Sequence, residues 1–416
     1  MKESGAKWIG KVPCTWNIDN PKWHFIQRKD RARPGLIQLT ASQKFGVITQ
    51  TEYMERSGAN IVTVQNNFEI LKLVCAGDFV IHMRSFQGGL EYSEKTGTIS
   101  SAYVMLIPLK TISDPRYYKW YFKSIAYIDA LSSTSNLVRD GQAMRWANFI
   151  QLPILFPSAT EQHQIADFLD RECSEIDILA SDIQIQIDIL EQYKRSMITE
   201  TITKGLNPNT VMKDSGVQWL GLIPSTWGCR RGKYLLTYIQ KPVKDDDGVI
   251  TCFRDGEVTL RTNRREDGFT MADKEIGYQG IDVGDLVVHG MDGFAGAIGI
   301  SDSRGKASPV INVLDTKQNK RYIMYYLRSL AYGDVFLAMS TGIRVRSCDL
   351  RWNKLSELRY PVPSLREQQI IVEYIDNMIE KTNAVIADKQ EQLVILDEYK
   401  KSLIYEYVTG KKEVPN

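Results

Sequence analysis

The sequence predicts a mixed α/β (α+β) architecture built twice: a helix-and-strand body, a long coiled-coil-like helix, a second body and a second long helix. Three observations carry this. At 416 residues the chain is too long for one ordinary core, so several domains are expected. Its opening "SGAKWIGKVPCTW" (Ser4 to Trp16) returns as "SGVQWLGLIPSTW" (Ser215 to Trp227), with Ser, Gly, Trp, Gly, Pro, Thr and Trp in the same order. Each copy then closes on a long stretch without proline or glycine, striped with apolar residues.

The repeat extends well past its opening. Met144 to Asp170 lies over Leu350 to Asp376 without a gap, matching Arg145-Trp146 to Arg351-Trp352 and Glu161-Gln162 to Glu367-Gln368. The same offset continues through Leu190–Glu200 and Leu396–Glu406. The middles agree only loosely, at Gly77–His82 with Gly284–His289 and at Arg116–Ser124 with Arg321–Ser329. Similar ends with divergent middles suggest one scaffold carrying two specificities.

Each body reads as strands and helices. Residues 78–83, 102–109, 285–290 and 309–314 are β-branched runs with turn-rich flanks, hence strands. Residues 114–131 and 319–337 each read as an aromatic-faced helix. Long helices are expected to start at Pro157-Ser158 and Pro363-Ser364 and to stop at Gly205 and Gly410. Their stripes run through Ile165, Leu169, Cys173, Ile176, Leu179, Ile183, Ile187, Leu190 and Met197, and through Ile371, Ile375, Met378, Val385, Leu393, Leu396 and Leu403. At 1.5 Å per residue, about 40 residues would reach about 60 Å. A stripe that long needs a partner, and the matching helix of the other copy is the obvious one. The plainer alternative packs each helix on its own body.

Composition is that of a soluble globular protein, with 43% hydrophobic and 25% charged residues. The net charge of +2 is unevenly spread. The first tail (Pro157–Lys204) holds ten acidic and four basic residues, the second (Pro363–Lys412) nine and seven, so the remaining residues carry about +10. The positives cluster in "RKDRAR" (Arg28 to Arg33), "FRDGEVTLRTNRRED" (Phe253 to Asp267) and "TGIRVRSCDLR" (Thr341 to Arg351). Arginine in loops suits phosphate contacts and bidentate reading of guanine, though a solvated surface is the commoner fate of a charge run. Double-stranded DNA is the favoured partner. The candidate contacts are Arg31, Arg33, Arg84, Gln87, Arg145, Arg254, Arg261, Arg264, Arg265, Arg344, Arg346 and Arg351.

Catalytic signatures are missing. Gly232-Lys233 and Gly305-Lys306 lack the rest of a phosphate loop, and "MDGFAGAIGI" (Met291 to Ile300) misses the dinucleotide spacing and reads as a tight loop flanking a strand. "DNPKW" (Asp19 to Trp23) lacks the second proline of an amino-methyltransferase motif. His82 and His289 occupy equivalent places without neighbouring ligands, which suits packing or polar reading better than a metal. Six scattered cysteines form no C-x-x-C pair, the N-terminus lacks the apolar core of a signal peptide, and no run is long enough to cross a bilayer. A cytoplasmic protein with no metal or cofactor of its own is expected.

Taken together, the paired Trp-x-Gly-x-x-Pro-x-x-Trp openings, the "GDLVV" strand and its Gly77–Ile81 counterpart, and the Pro-x-x-x-Glu-Gln helix starts closely resemble the specificity subunit of Type I restriction–modification systems. The resemblance implies target-recognition domains at 1–155 and 206–361, each reading one part of a split DNA site. It implies spacer helices at 156–205 and 362–416, paired antiparallel. It further implies a non-catalytic chain that docks two modification (methyltransferase) subunits and a restriction subunit, on which S-adenosylmethionine, ATP and Mg would act. The segment Gly342–Arg346 is similar to the family's DNA-facing loop, whereas Arg139–Trp146 is less so. The Trp-Gly-Pro-Trp openings themselves read as packing anchors. An adaptor that binds protein rather than DNA is the alternative.

Overall fold

The computed structural model describes residues 1–32, 35–61, 70–134, 144–264, 276–339 and 350–415. It divides into two compact units, Met1–Ile183 with Glu391–Asn416, and Gln184–Gln390. Each long helix therefore contributes one part to each unit.

The first unit is built on a four-stranded antiparallel sheet in the order Phe25–Gln27, Val104–Pro108, Phe79–Ile81, Glu91–Tyr92. Leu106 stands opposite Gln27 on one side and Phe79 on the other. Side chains alternate across the pleat. Phe79, Ile81 and Leu106 join a core of Tyr117, Tyr118, Tyr121 and Phe122, while Val80 and Met105 pack into a second layer with Leu39, Val47 and Val74. Burial on both faces explains why these strands read as continuous apolar runs.

The second unit repeats the plan. Its sheet runs Leu236–Ile239, Ile311–Thr316, Leu286–His289, Ile298–Ile300, and Leu314 stands opposite Tyr238 and Leu286. Leu286, Val288 and Leu314 face Tyr322, Tyr326 and Leu327; Val287 and Val313 face the layer of Ile250, Cys252 and Val258. All four strands expected from the sequence are present.

The Gly-Asp pair before each central strand has a clear job. Gly77 and Gly284 take φ of +94° and +83°, a turn that side chains oppose. The following carboxylate accepts the N–H three residues earlier, Cys75 to Asp78 and Asp282 to Asp285, each at 2.8 Å. A cation then neutralises it: Arg28 at Asp78 and Lys241 at Asp285.

Neither aromatic helix is continuous as expected. The first is two helices, Pro115–Tyr121 and Ile125–Ser133. Gly89 abuts the Phe122 carbonyl so closely that no side chain would fit there, and Lys123 is held by Glu91 and by the Gly88 carbonyl at 2.9 Å. The second helix, Lys320–Tyr332, ends at Gly333 and restarts at Val335–Ala338 after Asp334, which sits at φ +55°.

The long helices span Ala159–Lys204 and Leu365–Val408, 46 and 44 residues, and stop at Gly205 and Gly410, both at positive φ. They pair antiparallel. In the first unit Phe168 lies 4.4 Å from Tyr407, ring centre to ring centre, and Lys400 Nζ meets Asp177 at 2.6 Å. In the second, Lys389 Nζ meets Gln186 at 2.5 Å and Lys194 Nζ meets Asn383 at 2.9 Å. They pack on the bodies as well: Ile165, Leu169, Cys173 and Ile176 belong to the same core as Tyr117 and Tyr407. Two stripe positions are corrected. Leu179 and Val385 are exposed, at 49% and 45%. Burial instead continues at Ile183 and Ile187 and at Thr382 and Ile386, seven and eleven positions beyond Ile176 and Ile375, steps that return to almost the same face.

Candidate nucleic-acid interface

Any reading loop must be held against a fixed scaffold, and the opening tryptophans supply the fixing points. Trp16 is 2% exposed and Trp227 1%. The Trp16 indole donates to Glu161 Oε1 at 2.8 Å, at the start of the first long helix, and packs against Gly410 at the end of the second. In the other unit Trp227 donates to Glu367 Oε1 at 2.9 Å and packs against Gly205. So each unit clamps one tryptophan between the beginning of one long helix and the end of the other. Burial raises the Glu161 carboxyl, but bonds from Ser158 and Trp16 outweigh it and bring it below its ordinary range.

The neighbouring glutamines complete the joint. Gln162 Oε1 accepts the Ser113 and Asp114 N–H groups at 3.2 Å, and Gln368 Oε1 accepts that of Asn319 at 3.0 Å. Both Nε2 groups donate to the carbonyl of the proline that precedes the helix, Pro157 and Pro363. The Pro-x-x-x-Glu-Gln signature is therefore a latch between helix and body. Arg116 and Trp120 add contacts to Asp170, as Arg321 and Tyr325 do to Asp376. The sequence match displayed these residues, but only the fold reveals what they grip.

The basic clusters separate into structural and surface cations. Within "RKDRAR", Arg28 is spent on Asp78, bonded through Nε at 2.7 Å and Nη2 at 2.9 Å, and also meets Asp30. Those bonds raise the Arg28 guanidinium above its ordinary value. Arg31 is exposed and its backbone pairs with Lys72. Arg33, Arg265, Arg344 and Arg346 lie outside the described residues.

Arg84 and Gln87 come together on one exposed loop, around the short helix Ser85–Gly88. Gln43 Nε2 braces it by donating to the Arg84 carbonyl at 2.9 Å. Arg145 is exposed just before the helix Trp146–Phe149, and Asn148 Oδ1 accepts its N–H at 3.0 Å.

In the second unit several candidates converge on the loop after His289. Arg254 pairs with Asp292 of that loop at 2.9 Å, and the Arg351 side chain lies beside Gly290. The Leu350 N–H donates to the Gly290 carbonyl at 2.8 Å, tying the segment to the sheet. Arg264 is exposed, stacked 4.2 Å over Phe253, and paired with Asp255 and Glu257. Arg261 is half-buried, with Nε 3.3 Å from Thr251 Oγ1. Arg264 and Arg261 brace the hairpin Ile250–Leu260, on which Arg254 is carried.

No family model matches the chain. Over 218 residues, 52% of its length, it is 24% identical to the Type I restriction enzyme MjaVIII specificity subunit of Methanocaldococcus jannaschii, and it spans 48% of that relative's length. Among solved structures it is similar to a chain from a study of complex assembly and conformational transition in the type I R-M system. That match has a TM-score of 0.67, 12% identity, 97% of this chain and 100% of the other. The chain shares its fold with structures of type I R-M systems. The HsdS subunit of Thermoanaerobacter tengcongensis superposes with a TM-score of 0.50 and 13% identity, over 99% of this chain and 100% of its own. The tryptophan clamps and glutamine latches recur in both units of this chain. The divergent loops at Met83–Gly89 and Gly290–Gly296 occupy the same place after equivalent strands in the two units.

Among the described residues no cluster of His, Cys, Asp and Glu is placed to hold a metal ion, and no helix is long and apolar enough to cross a membrane.

Proposed function

We propose that this chain is a sequence-specific DNA-binding specificity subunit that reads a bipartite site, one part with each unit. In this reading it has no chemistry of its own. It brings two modification subunits, and a restriction subunit where one is present, to double-stranded DNA in the cytoplasm, with S-adenosylmethionine, ATP and Mg acting on those partners. The observation that carries the reading is the duplicated scaffold with unlike loops: sheet order, register and clamp coincide, while the side chains after the central strand differ. Arg84, Ser85 and Gln87 stand in one unit where Met291, Asp292 and Phe294 stand in the other, with Arg254 paired to Asp292. Two equal scaffolds bearing unequal polar loops suit two different half-sites, since base edges are read by side-chain chemistry.

The test is selection from a pool of randomised duplex DNA by the full chain, followed by sequencing of the bound fraction. The expected outcome is two short motifs separated by an unread gap of constant length. A chain that enriches no sequence, yet captures another protein through the same loops, would favour an adaptor instead.

A further inference from the structure

We propose that His82 and His289 are positioning residues for this reading: each uses Nδ1 to hold the loop that carries its unit's reading side chains. The inference rests on the DNA-reading function above and adds how the loops are kept in shape.

The two histidines occupy equivalent places, His82 just after the strand Phe79–Ile81 and His289 ending the strand Leu286–His289. In each, Nδ1 faces backbone N–H groups of the loop that follows. His82 Nδ1 lies 3.3 Å from the Arg84 nitrogen; His289 Nδ1 lies 3.2 Å from that of Met291 and 3.0 Å from that of Asp292. A backbone N–H only donates, so Nδ1 accepts and the ring hydrogen sits on Nε2. The same residue two places downstream is gripped in both units. A side chain repeated only for packing would not be required to aim the same nitrogen at the same backbone group in both units.

What the loops hold gives the contact its consequence. The first carries Arg84 and Gln87, and the His82 N–H also donates to Ser85 Oγ at 2.9 Å. The second carries Asp292, which sets Arg254, and lies against Arg351. Around His82 stand Glu91, 3.7 Å from Nε2 and itself held by Lys123, and the Tyr103 ring at 6.1 Å. Around His289 stand Asp292, 4.0 Å from Nε2, Arg254, and Cys252 behind the His289 backbone.

Protonation of His289 would place a hydrogen on Nδ1 facing other donors and break its hold on the Met291 and Asp292 amides. For His289, burial disfavours the cation, Asp292 favours it and Arg254 opposes it; the net result lies below the ordinary value of 6.5. The folded loop therefore prefers the neutral ring while the unfolded chain takes up a proton near 6.5. The stabilisation is whole above that pH and is lost as pH falls from it towards the lower folded value.

The experiment uses the full chain, the randomised duplex pool, and hydrogen exchange at the Met291 and Asp292 amides. His289→Asn keeps an oxygen acceptor near the Nδ1 position and cannot take up a proton; His289→Leu has no acceptor. His289→Leu is expected to expose both amides and to weaken the preference for one half of the motif by about tenfold, the scale of a lost buried acceptor, with the other half intact. In the unaltered chain the same half should hold above pH 6.5 and fade as pH falls below it towards the lower folded value, and His289→Asn should flatten that loss. If His289→Leu does not fold, the pH profiles of the other two proteins decide. Unchanged exchange and motif in His289→Leu, or an acid loss that persists in His289→Asn, overturns the proposal. Amides that respond as expected in a chain with no sequence preference overturn the DNA reading itself, and with it the role given to the loop.

Discussion

Arg28 and Arg84 are both arginines in basic, polar surroundings, yet their fates are opposite. Arg28 faces a carboxylate that is only 1% exposed, so removing it strands a buried charge. Arg28→Ala is expected to cost about 3–5 kcal/mol in urea unfolding. Arg84→Ala should change stability by no more than about 0.5 kcal/mol while weakening DNA binding. A small cost for Arg28→Ala would mean that Asp78 finds another cation. No local pattern reveals the difference, because Arg28 and Asp78 lie fifty residues apart in the chain. The equivalent second-unit pair, Lys241 and Asp285, is separated by 44 residues.

At the scale of elements, the helix stops deserve a quantitative test. Both Gly205 and Gly410 lie in the left-handed region, so alanine costs about 1 kcal/mol at either from backbone alone. Their surroundings differ. A Cβ on Gly410 would stand 2.5 Å from Pro13 and 3.1 Å from Trp16, whereas on Gly205 it would stand 3.2 Å from Trp227. Gly410→Ala should therefore destabilise more than Gly205→Ala; equal costs in thermal unfolding would show that Pro13 yields freely. These stops were legible in sequence, as were the helix starts, the four principal strands and the repeat. Each follows from local chemistry: glycine after a stripe, β-branched runs, two buried tryptophans in one spacing. The breaks at Phe122–Ser124 and at Gly333-Asp334 were not, because the first is imposed by Gly89 and Glu91 from elsewhere in the fold. The loop contacts around Gly290 were hidden for the same reason, and Leu179 and Val385, three and ten residues beyond Ile176 and Ile375, lie roughly 60° and 80° off the buried face. An insertion tests the helices directly. Four residues added near Ser181 lengthen the helix by about 6 Å and rotate its stripe by about 40°. If helix length sets the gap between half-sites, the selected motif should keep both halves and widen by about one or two base pairs of about 3.4 Å. Two added residues rotate the stripe by about 200° and should abolish selection. An active four-residue variant with the original gap would sink the spacer idea.

For the whole molecule, charge placement matters more than charge total. The net +2 hides about +10 outside the two acidic tails, and counterion release makes that excess measurable. Each phosphate neutralised adds about −0.9 to the slope of log affinity against log salt. Arg84 and Arg145 are exposed and have no ion pair among the described residues, so phosphate contact would cost them no carboxylate partner. Arg254 and Arg264, by contrast, must give up Asp292 or Asp255 to make such a contact. Replacing Arg84 and Arg145 together by alanine should flatten the slope by about 1.8 if each meets one phosphate. The motif half read by the second unit should stay unchanged. Replacing Arg254 should flatten the slope less, since its loss also frees a carboxylate to repel the backbone. A slope unaltered by the double replacement would remove both residues from the phosphate contacts, and a blurred second half would show that the two readers are not independent.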